Sequence, residues 1–145
     1  MSDTYEPGMK VRREVLGDDH VNRAIERTTE FTAPFQEFII RCAWGSVWTR
    51  DGLDRRMRSA VTLSVLAALG RENEIEMHVR GALRNGLAPA EICEVLLHTA
   101  IYAGVPAANA AFAIAQRVIE AEPAHRDTGA GPAADDSDSG DAAPT

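Results

Sequence analysis

A chain of 145 residues, 45% hydrophobic and 26% charged, has the composition of one globular domain with a modest core. The net charge of -7 is uneven: from Arg126 onward five aspartates face one arginine, which leaves the body at -3. A body so near neutral lacks the basic field that nucleic-acid binding requires. No basic leader followed by an apolar run opens the chain, and no stretch nears the roughly 18 apolar residues of a membrane span. Cys42 and Cys93 form no Cys-x-x-Cys pair and read as reduced, packed thiols. The expectation is a cytoplasmic protein with neither nucleic acid nor membrane as partner.

The predicted elements are all helical. Residues 8–16 form a first helix closed by Gly17. Asp18 and Asp19 cap a second that runs to about Glu30, with Val21, Ala24, Ile25 and Thr28 on one face. Pro34 opens a third, in which Phe35, Phe38, Ile39 and Cys42 repeat at helical spacing and which carries through to Trp48. Asp51 or Asp54 starts a fourth, with Ala60, Leu63, Ala67 and Gly70 on one side and Val61, Val65 and Leu69 on another. The fifth spans Glu72 to Asn85, where Asn85-Gly86 stops it. Pro89 opens a sixth reaching Ala103, and Val105-Pro106 begins a seventh ending near Ala121. Strand signals are weak. Residues 1–122 therefore read as one domain, and 123–145, rich in Ala, Gly, Pro and Asp, as a disordered acidic tail. The sixth helix is apolar all round from Val95 to Ala103 except for His98, Thr99 and Tyr102, so it is predicted to be buried on several sides, partly by another subunit.

Three groups of side chains carry potential chemistry. Arg71, Glu74 and His78 share one helix face, either as a solvated ion-pair face or as a carboxylate orienting an imidazole beside a guanidinium. His98 stands four residues before Tyr102 in apolar surroundings, as a satisfied core histidine or as an acid or base whose pKa burial shifts. Arg55, Arg56 and Arg58 cluster at a helix start, where cations oppose the dipole. Asp51 and Asp54 offset them structurally; a carboxylated substrate would do so functionally. Trp44 and Trp48, one turn apart, are either core or the walls of a pocket for a flat ring. Phosphate loops, metal-ligand clusters, paired cysteines and nucleophile elbows are missing, which points to chemistry without metal, nucleotide or thiol.

Three separated stretches, Tyr5 to Asp18, Ala43 to Ser59 and Glu94 to Asn109, resemble the 4-carboxymuconolactone decarboxylases in order and spacing. The resemblance covers about residues 5–120 and implies the all-α, oligomeric, alkylhydroperoxidase D-like superfamily, with hexamers in the decarboxylase branch. The peroxidase branch carries Cys-x-x-Cys followed four residues later by His. His78 takes that histidine position, while Arg71 and Glu74 stand where the cysteines would be, which argues against thiol peroxidase activity.

The implied reaction needs no cofactor. Loss of CO2 from the ring carbon of a dianionic lactone sends electrons through the double bond to the lactone carbonyl. Protonation beside the carbonyl then gives the enol lactone of 3-oxoadipate, a step of protocatechuate catabolism. Such an enzyme holds the surviving carboxylate, stabilises the oxyanion and delivers one proton. Arg58 and then Arg71 suit the first task, with Tyr102, Trp44 and Trp48 lining the site. His78, oriented by Glu74, and His98, supported by Tyr102, suit the other two. The alternative is a cysteine-free relative that acts on another lactone or serves a non-catalytic binding role.

Overall fold

The computed structural model describes residues 3–122; the expected acidic tail lies outside them. The elements are α1 (Tyr5–Leu16), α2 (Asp18–Glu26), α3 (Ala33–Phe38) continued by a π-helical segment (Ile39–Trp48), then α4 (Arg55–Leu69), α5 (Glu72–Arg84), α6 (Pro89–Ala103) and α7 (Val105–Ala121). Every regular element among the described residues is helical, as expected.

Local chemistry sets most boundaries. The Asp54 carboxylate accepts the Met57 backbone N–H at 2.8 Å, capping α4, and Gly70 ends the helix in the left-handed region. Pro89 occupies the first turn of α6, where the Glu91 carboxylate accepts the Ala88 N–H at 3.0 Å.

Four boundaries differ from the expectation. Helix α1 begins three residues early, at Tyr5. Gly17, not Asp18 or Asp19, holds the N-cap position of α2, and the two aspartates sit in its first turn, where they favour the dipole. Helix α2 stops at Glu26, so Thr28 lies beyond it and returns its hydroxyl to the Ala24 carbonyl. The third predicted helix changes winding at Ile39; π-helix is rare and concentrates at functional sites.

Two apolar cores result. Helices α4 to α7 enclose one around Leu63, Ile75, Val79, Ile92, Leu96 and Ile114. The second joins α1, α2 and the π segment through Val11, Val15, Leu16, Val21 and Trp44, with Met77 of α5 packed against it. Helix α6 is the element expected to be buried on several sides, partly by another subunit. It buries Ile92, Leu96 and Thr99 but leaves Leu97, Ile101 and Tyr102 exposed, because no other part of the described chain covers its outer face. Cys42 is exposed rather than packed, and Cys93 is half-buried; both are free.

Helix α1 crosses the π segment backbone to backbone. A Cβ on Gly8 would strike the Ile40 carbonyl oxygen and stand 2.7 Å from the Gly45 nitrogen, and one on Gly45 would meet Thr4. A helical Gly→Ala change ordinarily stabilises by up to about 1 kcal/mol, but overpacking here outweighs that gain. Gly8→Ala and Gly45→Ala are expected to destabilise by about 2–3 kcal/mol in urea unfolding. Gly52→Ala, with nothing within 4 Å of its added methyl, should stay near neutral.

Candidate active site

The crossing of α1 with the π segment sets Trp44 against Val11 and Val15, and from there the site builds toward α5. Trp44 and Trp48 lie with ring centroids 5.1 Å apart. Both rings stack against the His78 imidazole, at 6.3 Å from Trp44 and 6.4 Å from Trp48. The tryptophans thus cover the histidine and remove much of its water. Burial, with the nearby His20 adding to it, pushes the His78 pKa down to about 4, against a smaller opposing pull from Glu74. At neutral pH His78 is a neutral imidazole, with one N–H to donate and one ring nitrogen to accept.

Glu74 is exposed and no hydrogen bond joins it to His78, so its effect is a field and not an orienting contact. Arg71 is exposed at the N-cap of α5 and has no ion-pair partner among the described residues.

The arginine cluster on α4 divides by role. Arg55 pairs with Glu14 at 2.5 Å. Arg56 binds Glu91 and the Gly86 carbonyl. These two are held by the fold. Arg58 differs: one terminal nitrogen donates to the Arg50 carbonyl at 3.1 Å, while its Nε is sealed from solvent without a partner. It lines a cavity of about 130 Å³ with Val47, Trp48, Leu53, Val61 and Thr62. Trp48 therefore links the histidine to the arginine, stacking on one and walling the cavity of the other.

His98 and Tyr102 meet as expected from their spacing, with rings 5.1 Å apart. Both are exposed in the single chain, on the outer face of α6 that was expected to be covered in part by another subunit. No ring contact or cavity among the described residues joins this pair to His78. The structure thus brings together His78, Trp44, Trp48 and Arg58, and leaves His98, Tyr102 and Arg71 outside that group.

Residues 33–117 match the model of the carboxymuconolactone decarboxylase family. The chain belongs to that family. It is 51% identical over 116 residues to a 4-carboxymuconolactone decarboxylase of Acinetobacter baylyi, covering 80% of this chain and 87% of the relative. It is also 43% identical over 115 residues to a nitrosuccinic acid decarboxylase of Metarhizium robertsii, with 79% and 80% covered. A further 4-carboxymuconolactone decarboxylase, from Pseudomonas putida, is 54% identical over 41 residues, 28% of this chain and 85% of that relative.

Two residues near the site escaped the sequence reading. His20 is half-buried, and its pKa is lowered by burial first and then by Arg12, Arg23, Arg80 and Arg84. Arg12 is 6% exposed in the middle of α1. Its place one turn after Gly8 and beside Val11, on the buried side of an amphipathic helix, was the available signal.

The depressed His78 pKa has a stability consequence of fixed sign. Between about pH 4 and 6.5 the unfolded chain takes up a proton that the folded one refuses, so stability falls with falling pH in that window. Over it the wild type should lose about 2–3 kcal/mol more than His78→Gln, as measured by urea unfolding at a series of pH values.

Proposed function

We propose that the chain is a cofactor-free carboxy-lyase acting on 4-carboxymuconolactone, releasing CO2 and the enol lactone of 3-oxoadipate in protocatechuate breakdown. The observation that carries this reading is an imidazole stacked on two indole rings, one of which, Trp48, also walls a cavity lined by Arg58, whose Nε is buried without a partner. The family and the Acinetobacter relative support the substrate. Nitrosuccinic acid, named for the fungal relative, is likewise a dicarboxylic acid with its own electron acceptor, there a nitro group. A scaffold serving both needs no electron sink of its own; it has to hold a carboxylate and stabilise charge that develops within the substrate.

In this reading Arg58 holds the carboxymethyl carboxylate through a charge-assisted bond. Trp48, which walls the cavity, flanks the flat ring, and the buried Trp44 packs against Trp48. The His78 N–H donates to the lactone carbonyl oxygen as it becomes an oxyanion, and a neutral donor suits this task because it costs no proton. Glu74 tunes His78 through its field, and Arg71, which is exposed, adds long-range attraction for a dianion. The reaction consumes one proton, which adds at the carbon beside the carbonyl after CO2 has left the ring carbon at the far end of the double bond. His98, with Tyr102, supplies it only where another copy sets its site against the outer face of α6. Such an assembly fits the exposed apolar side chains there and on α4, and a cytoplasmic homo-oligomer, hexameric as the family resemblance implies, completes the proposal.

The test is turnover of freshly generated 4-carboxymuconolactone by metal-free protein, followed by CO2 release. His78→Gln should lower kcat by about 100- to 1,000-fold with helicity retained, the usual loss for one oxyanion donor. Because the neutral form of His78 is the working one, the acid limb of kcat/KM should fall near pH 4, where His78 protonates. An acid limb already falling near pH 6.5 would transfer the role to a histidine of ordinary pKa. Absence of turnover by folded protein would overturn the substrate assignment.

A further inference from the structure

Two side-chain nitrogens among the described residues are buried without any hydrogen-bond partner, Arg58 Nε and Arg12 Nε. The proposed reaction uses the first. Arg12 is the more severe case: its side chain is almost wholly buried, and no ion pair or hydrogen bond to it exists among the described residues. Burial pushes its pKa down, against an opposing pull from Tyr5 and with a smaller push from Arg13, yet a guanidinium stays charged at any physiological pH. An uncompensated buried charge costs several kcal/mol. The cost is offset when an anion arrives.

The surroundings describe that anion. Arg12 lines a cavity of about 560 Å³ between α1, α2 and α3, which shares no lining residue with the Arg58 cavity. Met9, Ile25 and Ile40 give it apolar walls, and Tyr5, Thr28 and Gln36 bring neutral polar groups. Glu37, the acidic side chain of its lining, is held by Arg41 Nε at 2.9 Å and so leaves Arg12 without a counter-charge. Arg41 also lines the cavity but is committed to Asp3 and Glu37, so one unpaired guanidinium, neutral donors and a nearby carboxylate suit a single negative charge better than a phosphate. The planar fork of arginine matches a carboxylate in particular.

We propose that this cavity is a second small-molecule site, separate from His78, which binds the carboxylate of a small organic acid on the Arg12 guanidinium with its apolar body against Met9, Ile25 and Ile40. The site does not depend on the decarboxylase reading, and its test needs no turnover.

The experiment titrates the full-length protein with acetate and succinate, and with chloride at matched ionic strength, and reads Tm and heat of binding. A ligand that binds only the folded state raises Tm with concentration. The wild type should show a saturable rise with the carboxylates and none with chloride. Arg12→Met should lose the response and, without ligand, be at least as stable as the wild type, since the unpaired charge is gone. Arg12→Lys should keep the response with affinity weakened about ten-fold or more, because an ammonium lacks the fork. Each titration is repeated in an Arg58→Met background, which removes the carboxylate-holding arginine of the proposed catalytic site, and the Arg12-dependent rise should persist there. The inference is overturned by a wild type with no saturable response, a test independent of whether any variant folds. It is equally overturned by Arg12→Met retaining the response in that background. A change of oligomeric mass in Arg12→Met, with no carboxylate response in the wild type, would assign the counter-charge to another copy of the chain and overturn it as well.

Discussion

The contact on which the rest of the structure depends is the crossing of α1 over the π segment at Gly8 and Gly45, where neither backbone has room for a side chain. That approach brings Val11 and Val15 onto Trp44, and the tryptophan in turn onto the His78 ring. The depressed pKa of His78 is the electrostatic result of a packing event some seventy residues away in the chain. An imidazole kept neutral by the rings packed on it costs stability in acid, and the apolar contacts of Trp44 with α1 are what hold it there. The π winding belongs to the same arrangement, since it carries both tryptophans on ten residues that end beside the arginine-rich start of α4.

The arginines sort by what the fold leaves undone. Arg13, Arg41, Arg55, Arg56 and Arg80 all find carboxylates, mostly at partly exposed positions, where such pairs are worth little to stability. Arg12 and Arg58 keep buried nitrogens without partners. A protein tolerates an unmet buried donor when something outside the fold meets it. In both of our proposals these two positions are where charge recognition is built, and the paired arginines form the frame around them.

Most of the fold was legible in local chemistry. Asp54, Pro89 and the Val105-Pro106 pair set three helix starts, and those helices begin where such residues place them. The site was legible only in part, and the histidines show why. His98 lies in an apolar run and is exposed; His78 lies in a charged run and is covered. Neighbours in sequence report what a helix carries, not what packs on it. The rings that cover His78 come from the π segment, while nothing in the described chain covers the outer face of α6. Arg12 was missed for the same reason: of two adjacent arginines, only the orientation of α1 decides which one turns inward. The π segment stayed hidden because its apolar residues repeat closely enough to the α-helical period to pass for it.

The Arg58 cavity has one further property that ties the site to assembly. Val47, Leu53 and Val61 form its rim, and each is also an exposed apolar side chain, Val61 at 52%. Val61 continues along α4 into Val65 and Leu69, which are exposed as well. The mouth of the cavity and the apolar strip are thus one surface. Water over that mouth screens the arginine; removing it lowers the local dielectric and strengthens attraction for a carboxylate. A second copy packed on the strip would therefore do more than bury apolar area: it would dry the rim around Arg58 and sharpen the charge recognition that the isolated chain leaves half-solvated. On this argument the apolar faces of α4 and the polar chemistry they border are not separable features, and the oligomer we propose is part of how the arginine works.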